Sequence, residues 1–189
     1  MEITSRDLLT VMHGMGFGAL FMLAFSGALV EIYRVSTPGL SSNASSGEQS
    51  LLRLYLGVIV VLAWLAVLSG AYLIYPWYRA TPPAGAVDLS GFPRALLLSS
   101  PRTSEWHNLG MEWKEHVSWL APIAMTMVAY VTLTYRREIV QHRHLRIAVL
   151  TFAVAAFAAT GVAGAFGALL NKVAPIRGGA SITLMEGVR

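Results

Sequence analysis

The stretch Glu105–Leu120, EWHNLGMEWKEHVSWL, decides how the rest of the chain is read. It gathers His107 and His116, the carboxylates Glu105, Glu112 and Glu115, Lys114, and the indoles of Trp106, Trp113 and Trp119. Directly after His116, Val117 opens an uncharged run that lasts to Tyr135. At helical rise such a run reaches about 28 Å, close to the thickness of a hydrocarbon layer. A helix that is apolar along its body and dense in charge at one end reads as a membrane span with a polar mouth.

Three further runs carry the same signature. Leu8–Tyr33 has one charge, Glu31, and neither Leu54–Tyr78 nor Ile147–Asn171 has any. Each exceeds the roughly 20 residues a spanning helix needs. The fold class expected is therefore all-α: an integral membrane four-helix bundle of up-down topology. One membrane domain covers 1–189, with spans near 8–33, 54–78, 105–135 and 147–171. A connector fills 79–104 and a polar tail fills 172–189. Composition agrees: the 189 residues are 55% hydrophobic and only 13% charged, where soluble domains carry about 25% charged residues. The first run is expected to stay as a helix and not act as a cleaved leader, because it is long and its flank is not basic. Ser5 or Thr4 can cap it, and Thr103 or Ser104 can cap the third helix with Glu105 in its first turn.

The net charge of +4 does not point to nucleic acid, because the basic residues lie in loops beside apolar spans. Cysteine is absent, which excludes disulfides, thiolate metal sites, iron–sulfur clusters and a covalently attached haem. Four spans place both termini and the connector on one side, with the 34–53 and 136–146 loops on the other. Four of the six arginines on that second side crowd into 136–146. The positive-inside rule then makes that loop cytoplasmic and the termini non-cytoplasmic. The location expected is a bacterial cytoplasmic membrane. His142 and His144 read as solvated loop residues. Asn43-Ala44-Ser45 fits a glycosylation triplet of a kind that arises often by chance. The apolar piece 91–98 is expected to lie along the membrane surface, and Glu31 to pair with Arg34 one turn on.

The chemistry-bearing candidates sit at the connector end. His13, a little inside the first span, and His116, at the head of the third, lie at comparable depth. In an up-down bundle these two helices face each other diagonally. Two neutral imidazoles so placed suit the iron of a b-type haem as axial ligands. Gly14, Gly16 and Gly18, with Gly161, Gly164, Gly167 and the Ser69-Gly70-Ala71 triplet, leave room for a flat macrocycle, or else for close helix packing. Arg79, Arg94 and Arg102 are candidates for haem propionates. On the third helix Glu105, Leu109, Glu112, His116 and Ile123 form one stripe, with His107, Met111, Lys114, Ser118 and Pro122 broadly opposite. Glu112, one turn before His116, could orient the imidazole or carry a proton. His107 is a candidate for a second haem, a propionate or a quinone.

This layout resembles the four-helix b-type membrane cytochromes, including the haem-bearing membrane subunits of respiratory oxidoreductases. The resemblance implies a non-catalytic electron-transfer subunit holding haem b through His13 and His116. Its partners would be the lipid bilayer, other subunits of a membrane complex, and a quinone or redox protein. Two other functions fit the residues. One is a cofactor-free structural subunit of a larger complex. The other is a small membrane enzyme or carrier that works through Glu112, Lys114, Glu115 and His116.

Overall fold

The computed structural model describes residues 2–40 and 45–183. Each apolar run becomes one helix longer than its uncharged part. In chain order the helices are α1 (Ser5–Ser36), α2 (Ser46–Tyr78), the short α3 (Pro93–Leu98), α4 (Pro101–Thr134), the short α5 (Arg136–Gln141) and α6 (Arg143–Val173). The four long ones are apolar and long enough to cross a membrane, so the chain is an all-α membrane bundle.

The helix starts follow from capping chemistry. Thr4 accepts from the Asp7 N–H while Asp7 accepts from the Thr4 N–H, a reciprocal capping box. Ser45 and Glu48 do the same for α2. α4 starts at Pro101 behind a Ser100 cap, earlier than the expected Thr103 or Ser104. Proline fits the first helical position because its missing N–H has no partner there anyway. The glycosylation triplet falls partly outside the described residues, at Asn43 and Ala44.

Neighbours in sequence are neighbours in space. α1 packs on α2, α2 on α4, α4 on α6, and α6 closes back on α1. The main core forms where these four meet. α1 contributes Phe21, Phe25, Ala28 and Ile32, and α2 contributes Leu56, Ile59 and Ala63. α4 adds Ala121, Met125 and Val128, and α6 adds Ala153 and Ala156. Large apolar side chains such as Leu23, Val30 and Tyr72 remain exposed on the outside, as a lipid-facing surface requires.

A second, smaller core closes the connector end, built from Ile74, Tyr78, Leu97, Met111, Leu170 and Ile176. Pro93 is buried and Leu97 has no exposed surface, so α3 packs against the end of the bundle. The described part of the tail ends in a short strand. β2 (Ser181–Thr183) pairs antiparallel with β1 (Glu2–Thr4), with Ile3 opposite Ile182. Gly178 and Gly179 turn the chain back through positive φ, which glycine adopts without steric cost.

Candidate functional site

Between the two cores lies a layer with few buried apolar residues. Three helices loosen in or beside it: the backbone widens to π-type turns over Met12–Ala19 of α1, and over Gly70–Ile74 of α2 and Trp106–Met111 of α4, which run into the second core. Such turns often mark functional positions. The α2 turn also sits just ahead of Pro76, whose ring would crowd the preceding turn of a regular helix.

His13 lies half-buried in this layer. Its Nδ1 is 2.9 Å from Ser69 Oγ, and Ser69 donates its own proton to Ala66 O at 3.2 Å. The serine oxygen therefore accepts from the imidazole N–H. In the neutral ring that leaves Nε2 with its lone pair available. Gly70 makes room for the ring, since a Cβ there would stand 2.8 Å from His13 Cε1. Lys114 enters the same layer from α4, within Coulombic range of His13. Its Nζ packs on Gly167, where a Cβ would come within 2.6 Å.

Nearer the connector, two phenols of α2 cross to α4. Tyr75 donates to Glu115 Oε2 at 2.5 Å, and Tyr78 O–H and His107 Nδ1 are 2.7 Å apart. The two tyrosine rings stack at 6.3 Å, and the Arg79 guanidinium lies over Tyr75 at 5.3 Å. α3 brings Arg94 into Coulombic range of both Tyr78 and His107. Arg94 Nε is buried and, among the described residues, has no hydrogen-bond partner. A buried donor left unpaired is costly and invites an acceptor.

The residues singled out from sequence divide accordingly. His13 and His107 lie in the inner network and Arg79 at its rim. His116 does not join them: its side chain is 72% exposed, and its Nδ1–H donates to Glu112 O at 3.0 Å, with Glu112 Oε2 at 3.4 Å. Glu112 is thus beside His116, as the spacing predicts, but both stand on the outside of the bundle. His13 and His116 are not brought together. Gly14 is exposed with nothing within 4 Å of a Cβ, and Gly18 meets only the His13 backbone oxygen. Neither borders a cradle. Arg102 is exposed at the start of α4, and His142 and His144 are exposed as expected. Glu31 pairs with Arg34 through two bonds of 2.9 and 2.6 Å. Among the described residues, no three histidines or carboxylates converge as metal ligands.

The two stripes of the third helix lie on opposite sides, and the interior belongs to the one that carries His107 and Lys114. Glu105, Leu109, Glu112, His116 and Ile123 are exposed, whereas Met111 and Pro122 are buried and His107, Lys114 and Ser118 half-buried. A usable signal existed. The buried positions of the apolar part, Thr132, Ala129, Met125 and Pro122, step back by three or four to Ser118, Lys114, Met111 and His107. Tyr75 and Tyr78 were missed because hydroxyl-bearing residues at a span's end read as interfacial decoration, and Ser69 was read only as a small residue that leaves room, not as a hydrogen-bond partner of His13. No protein-family model, curated protein or solved structure matches the chain.

Proposed function

We propose that the connector end of this bundle is a proton-exchanging site of a membrane redox subunit, and that its ligand is a lipid-soluble carbonyl carrier of the quinone class. The observation that carries this is the pair of short phenol bonds, Tyr75 to Glu115 and Tyr78 to His107, beside an Arg94 N–H that lacks a protein partner. Reducing a quinone to a quinol adds two electrons and two protons. Tyr78–His107 and Tyr75–Glu115 are proton carriers one transfer away from such a ligand, and Arg94 Nε–H can donate to a carbonyl oxygen. Lys114 and His13 with Ser69 extend the polar path one layer deeper. The electrons come from another redox subunit. A ligand arriving through the bilayer meets this end of the bundle at the interface.

The test is binding of a short-chain benzoquinone to the purified full chain, followed by quenching of tryptophan fluorescence. Saturable quenching is expected, weakened about tenfold, or roughly 1.4 kcal/mol, in Tyr78→Phe and in Arg94→Gln. Quenching that rises linearly and is the same in all three proteins overturns the reading.

The b-type haem of the sequence reading is kept as a second proposal, because His13 is favourable on its own terms. Ser69 orients its Nδ1 in the way outer partners orient ligand imidazoles, and its Nε2 is left to coordinate. His116, turned outward, is not a facing ligand in this arrangement, so this reading rests on His13. It expects a b-type spectrum in the reduced protein that is lost in His13→Ala. A folded, colourless preparation sinks it.

A further inference from the structure

On the outer side of the bundle, α4 carries an exposed stripe along its membrane length. Leu109, His116, Ile123 and Tyr130 recur every seven residues, with Glu112, Leu120 and Met127 between them, and all are exposed. Steps of three and four residues form the kind of seam along which two helices pack at a shallow left-handed crossing. The apolar members need no partner other than lipid, but Glu112 and His116 do. Their level in the membrane is set by what the inner side of the same turns touches. A Cβ on Gly110 would meet Phe166 at 3.2 Å, and Trp113 donates to Ala159 O at 3.4 Å. On α6 the exposed apolar surface continues past that level toward the connector, through Leu169 and Val173. On α2, Tyr72 and Leu73 are exposed within a turn of the Tyr75–Glu115 bond. The pair therefore stands within the apolar outer surface. Ionisable groups there are costly and almost always pair, and neither side chain has the long stem by which lysine or arginine reaches water.

We infer that α4 binds α4 of a second copy of this chain along the stripe, joined by a ring of two Glu112 carboxylates and two His116 imidazoliums. Two copies inserted in the same sense are related by an axis along the membrane normal, so equal levels meet and each contact is made twice. Within one chain, His116 Nδ1–H donates to Glu112 O at 3.0 Å and stands 3.4 Å from Glu112 Oε2. That occupies one side of the imidazole and one carboxylate oxygen. His116 Nε2 and Glu112 Oε1 have no partner among the described residues. One turn separates them, and the two-fold axis lets Nε2–H of each copy donate to Oε1 of the other. The four charges sum to zero, and charge-assisted bonds of this kind are about twice as strong as neutral ones. An apolar partner, or lipid tails, would leave both groups unpaired. Glu105, two turns nearer the water, would meet its own copy, so the two helices part beyond Leu109. The inference is independent of the connector-end site.

The test is disulfide cross-linking of the full chain in phospholipid vesicles at large lipid excess, which suppresses chance collisions. The chain has no cysteine, so each reporter is read without background. Ile123→Cys lies on the stripe, and Val154→Cys is an equally exposed position on α6. Under mild oxidation Ile123→Cys should form a covalent dimer and Val154→Cys should not. Adding Glu112→Leu or His116→Leu to Ile123→Cys should lower the dimer yield several-fold. Exchanging the two residues, Glu112→His together with His116→Glu, should restore it, because the ring keeps its charges; a gain of apolar surface alone would favour the single variants. Circular dichroism checks that all variants stay helical. Equal cross-linking at the two reporters, none at Ile123→Cys, single variants that dimerise as well as the parent, or an exchange that stays as low as the single variants overturns the inference. The two reporters alone decide the matter if a charge variant does not fold.

Discussion

At the scale of single residues, the bundle is organised by side chains that enter the gap left by a glycine on the next helix. His13 faces Gly70, Lys114 faces Gly167, Phe166 faces Gly110 and Tyr55 faces Gly27. These glycines differ in what an added methyl would displace. At Gly70 it would strike a ring held by Ser69, 2.8 Å away. Overpacking of that kind costs about 1–3 kcal/mol, against a gain of up to about 1 kcal/mol from better helix propensity. At Gly167 it would meet the end of a flexible lysine, which can move aside. At Gly164 it would meet nothing within 4 Å. Thermal unfolding in detergent should therefore rank Gly70→Ala below Gly167→Ala, and Gly167→Ala below Gly164→Ala, with Gly164→Ala at or above wild type. Equal stability of the Gly70 and Gly164 variants would show that His13 is not held as described. The candidate site was half legible for a related reason. The helical period separates the His107–Lys114 stripe from the Glu112–His116 stripe, but ligand chemistry alone favoured the wrong one as the interior. The depth of each residue along its span was readable; its rotation needed the buried positions farther down the same helix.

At the scale of elements, the long helices were readable because their uncharged runs match the hydrocarbon thickness and their caps follow simple chemistry. The short connector helix α3 was not, because six residues carry too little periodicity to fix which way they face. Isolated helices that short do not persist in water, so α3 must be held by its anchors. Leu97 has no exposed surface, and its carbonyl accepts from Thr103 Oγ1 at 2.7 Å. Truncating such a side chain costs roughly 2–5 kcal/mol, more than a six-residue element can lose and stay docked. Leu97→Ala should speed amide hydrogen exchange across 93–98 while leaving the Phe25–Ile32 stretch of α1 protected. It should also weaken quinone binding with Arg94 still present, since α3 carries that side chain. Faster exchange along α1 as well would mean that the two cores unfold as one unit and that α3 is no separate cap.

At the scale of the whole molecule, four spans and the pairing of β1 with β2 bring Glu2–Thr4 and Ser181–Thr183 together at the connector end. The redox proposal then depends on which side of the membrane that end occupies, because protons are taken from the compartment it faces. The arginines of the loop between α4 and α6 argue that the opposite end is cytoplasmic. The balance of attraction is narrow, since the connector side also carries Arg79, Arg94 and Arg102. The chain contains no cysteine, so single cysteines report topology without background. Val87, 98% exposed in the connector, and His142, exposed in the basic loop, are suitable positions. In intact bacterial cells producing the protein, a membrane-impermeant maleimide should label Val87→Cys at once and His142→Cys only after permeabilisation. If labelling is reversed, the polar layer opens to the cytoplasm and any protons consumed at Tyr78–His107 come from inside. If both positions label in every molecule of intact cells, α4 does not cross the membrane, because Val87 and His142 are separated by that one helix.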